Sequence, residues 1–339
     1  PAPTAAWPSS HAHAGPTPLL DEILAESAGT LLHARCRVSL VNDRFIRDHV
    51  MSGPVSDVDP TLFGLSCVPF TVSLEVMAQA VVRLAGRRDL RVIENVRAFD
   101  WITLDDDELA FEVRAERLDD GRFAARVMTP RGVALTAEFG FDASLRLPAV
   151  PDLAEQRDSC LNWPKLYATG MFHGPVFQSM RYVHGWDDGG IDVELDRCSI
   201  DGFFADGERP DLVLNPVLLD AMGQVVACWL VQYVGVSFHA FPSTIQRLEL
   251  HEACPSDRIG VMLRMRQRPV DGRATDIHAP RAWDFDCVDG QGRVLMRGHD
   301  LVNLFFVAPQ AYHDVRCDPL QGCLRSEERR VGKECRSRW

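Results

Sequence analysis

For 35 residues, from Leu212 to Gln246, the chain carries a single charged side chain, Asp220. Apolar spacing predicts a helix over much of this stretch, from Pro216 to about Val234, with Asn215 as N-cap, Pro216 in the first turn and Gly235 at the end. Its most apolar part, Val225 to Phe238, is broken by Gln232 and falls short of the roughly 20 residues that cross a bilayer. The helix therefore belongs inside a soluble protein, and the rest of the chain has to cover it.

A second apolar helix is predicted between Thr71 and Gly86, where Leu74, Met77, Ala78, Val81, Leu84 and Ala85 keep helical spacing behind Pro69. Strand-like segments follow at Val92 to Phe99, Glu108 to Leu118, Arg122 to Met128 and Val133 to Phe141, with Asp119-Asp120-Gly121 as a hairpin turn. The second half repeats the order. Segments near Met180 to Val183 and Ile191 to Leu195 precede its helix, and four more follow, around Ile245 to His251, Arg258 to Gln267, Trp283 to Cys287 and Arg293 to Leu304. Gly290-x-Gly292 reads as a turn between the last two rather than a dinucleotide loop, because a strand follows it.

A helix followed by an antiparallel meander is the layout of a hot-dog, so the expected class is α+β, a double hot-dog with halves at 25–147 and 166–309. Residues 1–24, rich in Pro, Ala and Ser, and residues 148–165, with Pro148, Pro151 and Pro164, read as linkers. His11 and His13 are expected to be solvated linker residues. The start at Pro1 suggests excision from something longer. Residues 310–339 read as a tail, of which Arg325 to Trp339, RSEERRVGKECRSRW, resembles a translated sequencing adapter and is set aside.

With 48 acidic against 36 basic side chains, the formal charge of -12 argues against a nucleic-acid binder, which needs a cationic face. The ten cysteines include no close metal-ligand pair and no disulfide framework, so a reducing cytoplasm and no zinc site are expected. The first residues lack a signal pattern.

Asp220, among Leu218, Leu219, Met222 and Val225, is expected to be buried with a raised pKa, hence protonated and able to donate a proton. Gln224, one turn later on the same face, can orient it. The competing reading is a solvated stripe or a backbone contact. His49 closes a strand-like run four residues before Gly53, whose lack of a side chain permits a sharp turn or close backbone approach. A histidine at a strand end is more often structural, so its weight comes from the residue it would face.

Asp48-His49-x-x-x-Gly53 resembles the HxxxG motif of dehydratase domains in polyketide and polyunsaturated-fatty-acid synthases, and Leu218-Leu219-Asp220-Ala221-x-x-Gln224 resembles their DAxxQ motif. Phe172-His173-Gly174-Pro175-x-Phe177-Gln178 resembles their YGPxFQ motif, and the order and separation of all three also match over residues 30–307. The proline usual five residues after the glycine is Val58 here, with Pro69 as its counterpart. That loop is similar to the one in iterative synthases of enediyne, polyunsaturated-lipid or glycolipid type. The motif tyrosine is His173.

The resemblance implies dehydration of a 3-hydroxyacyl thioester to the 2-enoyl thioester, with His49 as base, Asp220 as acid and Gln224 holding Asp220 and the leaving oxygen. Gly53, Pro69, His173, Gly174 and Pro175 would contact substrate, and backbone N–H groups near Gly53 or after Pro69 would face the carbonyl. It implies no metal or redox cofactor. The partners would be an acyl carrier protein, whose phosphopantetheine arm brings the substrate in cis, and other megasynthase domains; homodimerisation stays open. Arg83, Arg87, Arg88 and Arg91 form the clearest basic cluster for an acidic carrier, although a solvated helix end is the commoner explanation. Two other uses of the fold are a product-template or cyclase domain directing aldol ring closure and a non-catalytic scaffold.

Overall fold

The computed structural model describes residues 17–307 apart from 55–62, 105, 160, 162–165, 197, 235–237, 253–259 and 270–280. The readings placed on Val58, Pro164, Gly235, Arg258, His11, His13 and the tail from 310 lie outside the described residues. Two antiparallel strands, β1 (Glu22–Ser27) and β2 (Leu31–Ser39), open the fold, so residues 22–24 belong to a strand rather than to the linker. A short helix α1 (Arg44–Arg47) leads to β3 (Val50–Pro54), β4 (Phe63–Cys67) and the long helix α2 (Phe70–Ala85). The meander β5 (Val92–Ala98), β6 (Thr103–Leu104), β7 (Glu108–Arg117), β8 (Phe123–Thr129) and β9 (Gly132–Gly140) completes the first half. The second half runs β10 (Met180–Asp187), β11 (Gly190–Leu195), α3 (Pro216–Val234), β12 (Phe238–Leu250), β13 (Val261–Pro269), β14 (Arg281–Val288) and β15 (Val294–Val307).

Burial alternates along β2 and β8, the period of a sheet with one covered face. The cover is α2, which is buried on nearly every side and packs on β2, β7, β8 and β9. Pro69 starts it with an extended backbone, and Gly86 ends it at φ 66°, a left-handed conformation suited to glycine. Asn215 starts α3 by accepting from Leu218 N–H at 3.0 Å, the cap that its sequence position suggested. That helix packs on β10, β11, β12 and β13 and also touches α2.

Twelve strands form one antiparallel sheet in the order β1-β2-β7-β8-β9-β5-β12-β15-β14-β13-β11-β10, while β3, β4 and β6 form a small second sheet. The halves meet where β5 pairs with β12, from Thr244↔Arg97 to Glu249↔Val92. Each half is thus a helix in a curved sheet, with one edge shared: a double hot-dog. The proline-rich segment between the halves is pinned at this seam. Arg146 and Leu147 donate their N–H groups to the buried Glu249 at 2.8 and 3.1 Å, and Val150 donates to Asp286 at 3.1 Å.

A buried polar node joins α2 to the lead-in of α3. Glu75 accepts from Gln79 at 2.7 Å and from the backbone N–H groups of Val213 and Leu214 at 2.8 and 2.7 Å. Glu75→Ala orphans both N–H groups and is expected to remove about 3 kcal/mol of stability, read as a lower urea midpoint. Burial pushes this carboxyl up to about 7 from 4.5. The folded state therefore keeps a proton that the unfolded chain has lost, and the Glu75 contribution to stability falls as pH rises through that window. Glu75→Gln is expected to flatten that slope; an unchanged slope would place the titration elsewhere.

Candidate functional site

His49 does not end a strand. Phe45 and Ile46, adjacent and both fully buried, lie in α1, and His49 follows it, forming an isolated antiparallel bridge to His173. Two buried neighbours in a row fit neither a strict strand alternation nor a longer helix, which is why the segment reads ambiguously from sequence. The Cys67 carbonyl lies 3.1 Å from His49 Nδ1. A carbonyl can only accept, so Nδ1 carries the hydrogen and Nε2 is left with its lone pair. His49 is 8% exposed, and burial lowers its pKa to about 4, so the ring is neutral at ordinary pH.

Asp48 ties this segment to the second half. Its carbonyl accepts from Gly174 N–H at 2.7 Å, and its carboxyl accepts from Val176 N–H at 2.7 Å. A Cβ on Gly174 would lie 2.6 Å from the Asp48 carboxyl, so only glycine permits the approach. Pro175 is exposed and opens the 3₁₀ turn Pro175–Phe177. Gly174 and Pro175, expected to contact substrate, therefore shape the backbone that presents His173. Pro69 is absent from the cavity lining, while its neighbours Cys67, Val68, Phe70 and Thr71 contribute to it. Gly53 lies in β3 at a register shift between Met51 and Pro54, where the strand is bulged.

On α3, Asp220 and Gln224 share a face, and the Gln224 amide donates to Asp220 Oδ2 at 2.8 Å and to the Phe177 carbonyl at 2.9 Å. Tyr167 fixes the amide from its other end, donating its hydroxyl to Gln224 Oε1 at 2.8 Å. Nothing in sequence pointed to Tyr167, whose partner lies 57 positions away. His173 Nε2 is 3.1 Å from the same Asp220 Oδ2, and His49 Nε2 is 3.9 Å from Oδ1. The three side chains are only 9–12% exposed.

The structure corrects the expected protonation of Asp220. Burial does push its pKa up, but the His173 and His49 imidazoles and the Gln224 amide together outweigh it, and the carboxyl is held below the ordinary value. In the free site Asp220 is ionised, Oδ2 is occupied by two donors, and Oδ1 faces His49.

The cavity around this pair has two lobes, of about 650 and 620 Å³ including their open mouths, with His49, Phe70, Asp220, Phe241 and Pro242 common to both. One lobe runs along α3 past Met222, Gly223 and Ala227 to Leu301; the other passes Ser73, Asp100 and Trp101. A row of aromatic rings lines the site: Phe172 stacks at 4.2 Å on His173 and at 5.9 Å on Phe241, which meets Trp101 at 4.5 Å in a tilted contact. The ligand atoms of His49, His173 and Asp220 all lie within 4.8 Å of one another and have the donor types of a divalent transition-metal site; a half-buried set comprises Asp284, His299 and Asp300. Among the described residues no helix is long and apolar enough to cross a membrane.

No protein-family model and no curated protein sequence matches the chain. Solved structures do. A trans-AT polyketide synthase dehydratase domain from Brevibacillus brevis aligns with a TM-score of 0.64 at 16% identity, over 86% of this chain and 98% of that one. The dehydratase domain of the CurF module of curacin polyketide synthase gives 0.62 at 16%, over 86% and 99%. A pyran synthase domain from module nine of the sorangicin pathway gives 0.60 at 20%, over 85% and 98%. At these identities the likeness establishes the double hot-dog fold of polyketide synthase dehydratase domains.

Proposed function

We propose that the chain is a dehydratase domain that removes water from a 3-hydroxyacyl thioester within a polyketide- or polyunsaturated-fatty-acid-type synthase, the substrate arriving on the phosphopantetheine arm of an acyl carrier protein. The observation that carries this reading is the 3.9 Å gap between the largely buried His49 Nε2 and Asp220 Oδ1, in a cavity with a lobe on either side of the pair. The gap is too wide for a direct hydrogen bond, and one oxygen atom about 2.8 Å from each group would close it. The 3-hydroxyl of the substrate can donate its one hydrogen to ionised Oδ1, which leaves the Nε2 lone pair free to face the hydrogens on C2.

His49 takes a C2 proton, the C3–O bond breaks, and the departing hydroxide needs one proton to leave as water. The proton gained by Nε2 equals the proton required, so the step balances without an external acid. Asp220 enters ionised, and it acts as acid only after His49 has passed it the C2 proton, while His173 keeps its Nε2–H on Oδ2.

Three of the four arginines near the end of α2 are occupied by neighbouring acids: Arg83 by Glu26, Arg87 by Asp89 and Asp142, and Arg88 by Asp211. This favours a tethered carrier, whose high effective concentration replaces surface attraction. The test is mass spectrometry of a 3-hydroxyacyl pantetheine thioester incubated with the protein. Loss of one water is expected. Aldol ring closure, the cyclase alternative, would leave the mass of a poly-ketone thioester unchanged. An unchanged, uncyclised substrate would remove the catalytic reading altogether.

A further inference from the structure

From Pro216 to Leu230, α3 is buried except at Asp220, Gly223 and Ala227, which keep partial exposure and recur at spacings of three and four, one face of the helix. All three line the same cavity lobe. Gly223 is anomalous there, because glycine inside a helix is disfavoured more than any residue but proline. Its backbone does not require it, since its φ is not positive. Its neighbours do not require it either, since a Cβ would meet nothing within 4 Å, in contrast to Gly174 or Gly298, where a Cβ would collide. A side chain at 223 would enter the lobe and fill it.

We infer that the Gly223–Ala227 strip is the floor of an acyl-chain subsite, and that the missing bulk at Gly223 selects thioesters with an extended apolar tail beyond C3. The inference rests on the dehydratase reading for its orientation. From Asp220 to Ala227 the strip rises about 10 Å along the helix axis. The walls beside it are Met171, Met222, Ile245 and Leu301, which offer no charge and no strong donor. Gln224, the polar residue on this face, spends its amide on Phe177, Asp220 and Tyr167. These apolar walls suit an alkyl tail, with the unpartnered hydroxyl of Thr71 lining the same lobe, and the lobe with Ser73, Asp100 and Trp101 is left for the pantetheine arm.

The test is calorimetry of the full chain with S-butanoyl and S-octanoyl pantetheine, which lack the 3-hydroxyl and cannot lose water. The octanoyl ligand is expected to bind about 250-fold more tightly, at roughly four-fold for each of its four extra buried methylenes. Gly223→Leu should collapse that ratio towards one, and Gly223→Ala should reduce it while raising the thermal midpoint, because alanine is the better helix former. Should Gly223→Leu fail to fold, the alanine variant carries the test alone. Equal affinity of the wild type for both ligands, or a ratio unchanged in a folded variant, would overturn the inference. Since neither ligand reacts, length-dependent binding without water loss from the 3-hydroxy substrate would sink the dehydratase reading and leave the subsite standing.

Discussion

His49→Ala is expected to lower kcat/KM for water loss by about 10⁴-fold, the upper range for removal of a general base. The expectation follows from how the ring is held. The Cys67 carbonyl fixes the hydrogen on Nδ1, burial keeps the ring neutral, and Nε2 points across the cavity at Asp220. No other neutral nitrogen in the described site has its lone pair fixed in that direction, since His173 Nε2 is engaged with Asp220 Oδ2. The pH profile supplies an independent check. A histidine lowered to about 4 from 6.5 stays a competent base down to mildly acidic pH. Wild-type kcat/KM should therefore hold flat through pH 6 and fall only as pH approaches 4. An acid limb centred near 6.5, or retained turnover in the alanine variant, would give the base role to another group.

The parts of this molecule that could be read from its sequence are those governed by neighbours along the chain. Helix α3 begins and ends where Pro216 and Val234 suggested, because its signals, an asparagine cap, a first-turn proline and apolar spacing, are local. Strands β5, β7 to β11 and β13 to β15 fall close to the expected segments for the same reason, their alternation and turns being written within a few residues, whereas β6 was not expected and β12 begins at Phe238, seven residues before the segment read from sequence. What failed was governed by contacts at long range. The protonation of Asp220 was inferred from its apolar neighbours on the helix, whereas the two imidazoles that reverse it come from 47 and 171 positions earlier in the chain. The tie of the Gly174 backbone to Asp48, 126 positions earlier, was equally beyond local reading.

Glu75 gives the sharpest lesson. It is a lone acid in an apolar helix, the same signal that drew attention to Asp220, and it is enclosed even more deeply. Its partners are backbone N–H groups and an amide rather than a cavity and a histidine. An isolated acid in an apolar run thus reports burial, and only the partner supplied by the fold separates a structural node from a reacting group.

Asp220→Asn should lower kcat/KM by about 10³-fold, within the range of a general acid or base, even though the replacement is nearly isosteric. The carboxylate receives Gln224 and His173 on Oδ2 and leaves Oδ1 as an acceptor for the substrate hydroxyl. In the variant, the amide oxygen can still satisfy the two donors, which puts an NH₂ group where Oδ1 was. That group cannot receive a proton, and it offers a donor to the His49 lone pair. His49 also loses the negative charge that partly offset its burial, so its pKa should fall further below 4, a shift that imidazole NMR would register without any turnover. His173→Phe separates positioning from proton acceptance, because it removes one donor to Oδ2 and leaves Oδ1 untouched. A hydrogen bond to a charged group is worth roughly 1.5–3 kcal/mol, so about a 10- to 100-fold loss is expected there. If His173→Phe cost more than Asp220→Asn, or Asp220→Asn stayed within 10-fold of the wild type, the proton would have to travel by a route that bypasses Oδ1.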